Sequence, residues 1–354
     1  MRNTYTNVLL LFFCSLFLST SLTGQDARFA QFYYTPLQLN PALTGVFDGQ
    51  FRATVNYRSL YESVLGANPY RTFAAGLDMR YNVFKYDYVG FGVSALRDEV
   101  GVSGFNRTSF NVSTSYQKKI GGKNRRSNQF LVAGAQIGVG QRAYTWEPLW
   151  FTEQFNTMGN YAVDYGANNG EVFADKETNF YLDFNAGVLW YATFGKNKSF
   201  YLGGAIQHVN KPNISFLSDN NERLPSKYVI HTGGEFPIGD NVSLLPAAAV
   251  LMQNPSFSTT VGANLRYSRR DWKEVAIRAG LWGHIANKLE KDVHLDAVTV
   301  SAIIEVERMN IGLSYDITAS ILSHANDSRG AFEVSFIYVN KPKRRRGRVI
   351  CPRF

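Results

Sequence analysis

The sequence predicts an all-β fold, a transmembrane antiparallel β-barrel of about fourteen strands with an irregular N-terminal leader and a basic C-terminal tail. Three observations carry that expectation. Alternation with period two recurs from residue 50 to 340, with one apolar and one mixed face on most segments. Aromatic residues make up 14% of the chain, with 20 Tyr and 26 Phe against only 11 Pro and 18% charged residues, a mixture suited to strands that meet a membrane interface. No stretch approaches 18 uninterrupted apolar residues, which argues against helical membrane spans.

Residues 1–24 set the compartment. Arg2 supplies a positive start, Val8 to Leu18 an apolar core and Ser19 to Gly24 a small polar cleavage region, the pattern of a secretory signal peptide. An apolar core of eleven residues, Ser15 among them, is too short to cross a bilayer that needs about twenty. Cys14 follows the bulky Leu11-Phe12-Phe13, which does not resemble a lipoprotein cleavage box. The mature chain is therefore expected to start near Gln25, without a lipid anchor.

Residues 25–49 form the leader. Pro36 and Pro41 restrict the residues before them and argue against a long helix or a central strand. The segment is expected either at the periplasmic end or as a plug within the barrel.

Residues 50–340 are the barrel. Phe180, Leu182, Phe184, Ala186, Val188, Trp190, Ala192 and Phe194 share one face, while Tyr181, Asp183, Asn185, Gly187 and Thr193 share the other. The same rule separates Met309, Ile311, Leu313 and Tyr315 from Asn310, Gly312, Ser314 and Asp316. These are expected as lipid-facing and lumen-facing sides. Strands are placed near residues 50, 71, 88, 106, 129, 178, 199, 227, 242, 257, 274, 295, 308 and 330. With both ends of an even barrel in the periplasm, odd connections are long and external and even ones short and internal. The sequence fits: 59–70, 97–105, 143–177, 209–226, 284–294 and 319–329 are long, whereas Lys85-Tyr86-Asp87 and Ile238-Gly239-Asp240-Asn241 are short and polar. Exceptions are the tight Asn254-Pro255 turn and the longer basic turn from Gly121 to Ser127. Strand glycines such as Gly90, Gly92, Gly134, Gly138 and Gly140 relieve curvature or allow backbones to approach closely.

The connection 143–177 is too long for a compact domain to keep without use or disorder. Trp146, Trp150, Phe151, Phe155 and Tyr161 give it apolar anchors and favour an ordered cap over a solvated loop.

Residues 341–354 are the tail. Lys341, Lys343, Arg344, Arg345, Arg346, Arg348 and Arg353 concentrate there, and with a chain total of +9 they leave the remainder close to neutral. In a secreted chain such a run points to a periplasmic protein, anionic lipid or plain solvation, and not to nucleic acid. Cys351 is the only cysteine beyond the signal segment, so no intramolecular disulfide forms. It is expected as a buried or inert thiol, the alternative being an intermolecular bridge.

Chemistry is thinly represented. His208, His231, His284, His294 and His324 show no metal spacing. Ser103, in Gly101-Val102-Ser103-Gly104, is a turn residue. His208 and His231 are placed as near neighbours across two consecutive strands, but no carboxylate of matching position stands out. The sequence therefore predicts no catalytic residue, no enzyme activity and no cofactor or metal.

Several local patterns go further. Gln31-Phe32-Tyr33, Pro36-Leu37, Leu39-Asn40-Pro41-Ala42 and Gly45 open the series, followed by Asn56-Tyr57-Arg58, Asn169-Gly170-Glu171 and Asp183-Phe184-Asn185-Ala186-Gly187-Val188. His208 to Phe216, Ile311 to Ile317, Gly330 to Ser335 and the terminal Cys351-Pro352-Arg353-Phe354 complete it. Together, and nearly end to end, they resemble the PorP/SprF family of type IX secretion and gliding-motility membrane proteins of the Bacteroidota. One departure lies in Glu153-Gln154-Phe155-Asn156, where the family pattern carries Asp-Gln and a second Asp after one apolar residue.

The resemblance implies an outer-membrane barrel paired with a type IX-secreted adhesin, supporting its secretion, its surface attachment or both, and linked to periplasmic secretion or gliding components. On the sequence, the expected partner surfaces are Trp146, Trp150, Phe151, Phe155, Tyr161, Pro212 and Phe216 outside, where an adhesin's C-terminal domain would dock. Lys343, Arg344, Arg345, Arg346 and Arg348 are their counterpart inside. Outer-membrane lipid is the third partner. The alternative function is a channel for small or hydrophobic solutes, which the mixed lumen face allows.

Overall fold

The computed structural model describes residues 26–340, apart from 85, 125–126, 146–148, 157–161, 165, 169–176, 196, 218–221, 270, 273 and 288–292, together with Cys351. The expected signal peptide, Trp146, Tyr161 and the tail residues Lys343, Arg344, Arg345, Arg346 and Arg348 lie outside the described residues.

Period-two alternation over nine or more residues gives strands long enough to cross a membrane at a tilt. The strands are β1 (Phe51–Leu60), β2 (Tyr70–Asn82), β3 (Tyr88–Val100), β4 (Phe105–Asn124) and β5 (Ser127–Ala143). Two short strands, β6 (Phe155–Asn156) and β7 (Ala162–Val163), pair only with each other. The wall continues with β8 (Tyr181–Phe194), β9 (Ser199–Gln207), β10 (Lys227–Pro237), β11 (Val242–Gln253) and β12 (Ser256–Tyr267). It ends with β13 (Val275–Asn287), β14 (Val293–Val306), β15 (Met309–Thr318) and β16 (Arg329–Asn340). Without β6 and β7, fourteen antiparallel strands form a closed barrel, sealed where Phe51 pairs with Asn340 and Leu60 with Ala331. Closure satisfies every strand edge, which a membrane demands because lipid offers no hydrogen bonds.

Alternation sorts the two faces as expected. Leu182, Phe184 and Val188 are exposed on the outside while Tyr181, Asp183 and Asn185 are buried, and Ile311, Leu313 and Tyr315 face out while Ser314 and Asp316 face in. Such a belt of exposed Leu, Ile, Val and Phe is tolerable only against lipid.

Three boundaries differ from the sequence reading, the first being the 284–294 connection, which narrows because β13 runs to Asn287 and β14 begins at Val293. The basic stretch after Gly121 is not a long turn: β4 runs on to Asn124 and pairs with Ser127, absorbing the extra residues as register shifts at Gly121. The connection expected over 97–105 shrinks to four residues, Gly101 to Gly104, because β3 and β4 stay paired as far as Val100 and Phe105. The longest connections, 61–69, 144–180, 208–226 and 319–328, nevertheless all lie at one rim.

The leader is a plug. From Asp26 near the long-loop rim it descends through the lumen as short helical turns, Phe32–Tyr34, Pro36–Leu39 and Pro41–Leu43, and reaches β1 at the short-turn rim. Each proline begins its turn, where a missing N–H costs nothing. The leader's apolar residues are the barrel's core: Phe32, Tyr33, Tyr34, Leu39 and Leu43 pack against Phe130, Leu189, Tyr201 and Trp282 of the wall.

Candidate functional site

The lumen of a barrel presents polar side chains, so a plug inside it must answer each of them. Asn40 does this with one side chain. Its Nδ2 donates to the carbonyls of Val188 and Gly204 at 3.1 and 3.2 Å and lies 3.0 Å from His231 Nε2, while its Oδ1 accepts from Ala42 N at 2.8 Å. Gln136 and Gln207 donate to the plug carbonyls of Leu37 and Gln38 at 3.2 and 2.7 Å. Ser115 donates to Thr44 O at 2.6 Å, and Gly45 N donates to Asp78, which also holds Arg52 at 2.7 Å. Two glycines make this approach possible. A Cβ on Gly90 would lie 2.4 Å from Thr44 O, and one on Gly134 would lie 2.4 Å from Ala42 N.

The seam of the barrel shares the same residues. Glu333 of β16, fully buried, accepts from the plug amides of Ala30 and Gln31 at 2.7 and 3.1 Å and from Arg58 of β1 at 3.1 Å. Arg58 also reaches Asp316 at 2.5 Å. A buried charge is tolerable only when paired in this way.

Two vestibules flank the plug. At the short-turn rim a cavity of about 630 Å³ is lined by Asp48, Arg52, Arg266, Arg278, Glu305 and Arg308. Glu305 joins Arg266 at 2.8 Å and also holds Arg278. At the long-loop rim a cavity of about 260 Å³ surrounds Asp26, Arg107, Arg142, Asp183, His208 and Lys227. Here the sequence reading is corrected. His208 is not a neighbour of His231, which pairs with Gly203, and it does have carboxylates: Asp183 Oδ1 lies 2.8 Å from Nδ1 and Asp26 Oδ2 lies 2.8 Å from Nε2. Asp183 was visible on the lumen face, but Asp26 arrives from the leader and no spacing foretells it.

With both ring nitrogens facing carboxylates, the doubly protonated imidazolium fits best. Burial pushes His208 down, but Asp183 and Asp26 outweigh it and raise the pKa above 6.5. Burial pushes Asp26 up, but Arg107, Lys227 and His208 hold it well below 3.8. The signs set a window. Asp26 contributes fully above 3.8 and loses its contribution as pH falls through its depressed folded value; His208 contributes fully below 6.5 and loses it as pH rises through its raised one. The purified barrel is therefore expected to melt highest between those limits. In H208Q the alkaline decline should shrink while the acid decline persists, and an unchanged alkaline limb would assign that decline elsewhere.

The external residues are unequally placed. Trp150 is 51% exposed and stacks on Phe155 at 6.1 Å, on a platform made by β6, β7 and the turn Thr152–Gln154. Gln154 knits it by donating to Ala167 O at 3.2 Å and accepting from Phe151 N at 3.0 Å. Within its described residues the connection carries these local contacts. Pro212 is buried, and Phe216 packs edge-on against Tyr144 at 4.8 Å, so these two hold the 208–226 connection onto the neighbouring rim. Cys351 is buried 3.8 Å from Tyr191 Oη, and Arg80 Nη1 lies 2.6 Å from its sulfur, which makes it a free, enclosed thiol. Trp282 was missed as a functional residue, although it alternates with Arg278 and His284 on a lumen face, where an indole needs something to cover it.

A closed strand wall with an apolar belt, a filled polar lumen and distinct rims defines an outer-membrane β-barrel protein. The chain belongs to the family described as "Type IX secretion system membrane protein PorP/SprF", whose model matches residues 21–338. It is thus a type IX secretion membrane protein of the outer membrane. A search of curated proteins finds no match. Solved structures align at low identity. The CymD monoaromatic hydrocarbon channel aligns at 11% identity over 89% of this chain and 95% of its own, with a TM-score of 0.45. A Pseudomonas aeruginosa FadL homologue aligns at 10% over 84% and 92%, with a TM-score of 0.43. CdiB from Acinetobacter baumannii aligns at 6% over 82% of this chain, which spans 60% of its length, with a TM-score of 0.45. Likeness at this level carries no argument about this chain.

Proposed function

We propose that this barrel supports the secretion or surface attachment, or both, of an adhesin exported by the type IX system, and links it to periplasmic secretion or gliding components. The observation that carries this reading is the filled lumen of a family member. A barrel whose interior is occupied by its own leader works through its rims, and its long-loop rim displays an ordered aromatic platform around Trp150 and Phe155. Exposed, pre-ordered aromatics are the residue type that concentrates binding energy at protein interfaces. Phe151 belongs to the same platform, Pro212 and Phe216 shape the adjoining connection, and Trp146 and Tyr161 fall within the same 143–177 stretch of the sequence. The apolar belt takes outer-membrane lipid.

Affinity capture of the tagged barrel from detergent-solubilised outer membranes should recover a large adhesin, and deletion of the barrel should abolish its display; display that survives deletion sinks the reading. Truncating Trp150 and Phe155 together to Ala should cost at least about 2 kcal/mol of binding, roughly 30-fold, with the barrel still folded. Changing Lys343, Arg344, Arg345, Arg346 and Arg348 to Ser should leave the barrel intact and uncouple the periplasmic partner. Unchanged motility and display would reduce that run to a solvated segment.

A further inference from the structure

The acids among the described residues that line the long-loop vestibule, Asp26, Asp98 and Asp183, are engaged, and Glu222 outside the lining acts on Arg142 without bonding to it. Asp26 faces Arg107, Lys227 and His208; Asp183 faces His208; Asp98 accepts from the Thr72 hydroxyl at 2.6 Å; and Asp296 holds Arg28. Donors are left over. Arg107 of β4 and Arg142 of β5 stand directly opposite each other in register, and both line the vestibule. The Nε of each is buried without a hydrogen-bond partner. Arg142 is held only through its backbone, its N–H donating to Thr178 Oγ1 at 2.9 Å, and its guanidinium makes no hydrogen bond or ion pair among the described residues. Tyr181 stands beside them on β8. It is 6% exposed, and its ring crosses Gly140, where a Cβ would sit 2.6 Å from the hydroxyl. That hydroxyl is buried without a partner and lies close enough to interact with both arginines.

We propose that Arg107, Arg142 and Tyr181 form an oxyanion site, a seat for a carboxylate or a phosphate at the outer face of the plug. Two like charges placed directly opposite on neighbouring strands repel, and an unmade buried hydrogen bond costs more than a made one returns. A single oxyanion removes both penalties, because its oxygens accept from guanidinium and hydroxyl groups while its charge separates the arginines. A cation or a neutral donor would worsen each of them. The site is independent of which protein docks on the rim. Its ligand could be the carboxylate of a bound polypeptide or a phosphate, free or lipid-borne, and the two sources are separable by experiment.

The test uses the full barrel, folded in detergent and labelled with ¹⁵N-arginine, titrated with sodium phosphate, with a short peptide as its free acid and with the same peptide as its C-terminal amide. The Arg142 Nε signal is identified by its absence from R142Q. A saturable shift of the Arg107 or Arg142 Nε signal is expected, weakened about tenfold or more in Y181F. A response to the peptide acid but not to its amide assigns a polypeptide carboxylate, and a response to phosphate assigns the phosphate source. R142Q should abolish the shift at Arg107; if that variant does not fold, Y181F, which removes only the hydroxyl, decides alone. No saturable shift with any probe, or equal affinity in wild type and Y181F, overturns the site.

Discussion

Replacing Glu333 by Ala should destabilise the barrel by about 3 to 5 kcal/mol, the usual penalty for leaving one member of a buried ion pair alone. The carboxylate is buried and serves three donors at once, the amides of Ala30 and Gln31 and the guanidinium of Arg58. Its loss leaves two buried N–H groups without an acceptor and Arg58 with Asp316 alone. The result should appear as a lower temperature for the electrophoretic shift from folded to unfolded barrel. Glu333→Gln keeps an acceptor oxygen and should fall between wild type and Ala. A melting temperature unchanged in E333A would mean that water or a neighbouring acid takes over the seat.

The second large effect is electrical. Wild-type barrel in a planar bilayer should be silent, because core packing and a ring of polar contacts hold the plug on most sides of the lumen. Gly134→Leu places a branched side chain where a single Cβ already falls 2.4 Å from Ala42 N. The plug must leave its seat, and discrete open steps should appear. Deleting residues 26–49 should give the same or larger steps in a barrel that still folds. Silence in both variants would mean that something other than the leader closes the lumen, and steady conductance in wild type would favour a solute channel.

Most of the wall was legible in the sequence because strand geometry is local. Predicted starts at 71, 88, 199, 227 and 242 meet observed starts at Tyr70, Tyr88, Ser199, Lys227 and Val242. The faces followed, since side chains alternate whatever the strand's neighbours do. The interior was less legible. Asn40 meets His231 across 191 positions, and Asp26 meets His208 across 182, separations to which periodicity is blind. A polar lumen face announces that it is not lipid-facing but not what it touches. Several residues that carried the family resemblance prove to be contacts of this kind: Asn40, Arg58, Asp183, His208 and Cys351 each make a buried polar contact with a distant part of the chain. The aromatic platform was half legible, its rings visible as anchors but the β6–β7 hairpin that carries them too short to show a period.

The position of Glu333 bears on how the molecule is made. The final strand zips to the first at the seam, and the same carboxylate that helps bind β16 to β1 through Arg58 grips the leader at Ala30 and Gln31. The leader spans the lumen from one mouth to the other, with its beginning at the rim opposite to where β1 starts. Drawing it through an already sealed cylinder would require its charged start, Asp26 and Arg28, to slide past the whole polar lining. Curling the sheet around a leader already in place needs no such passage, and makes the leader a mandrel on which the last turn of the wall is wound.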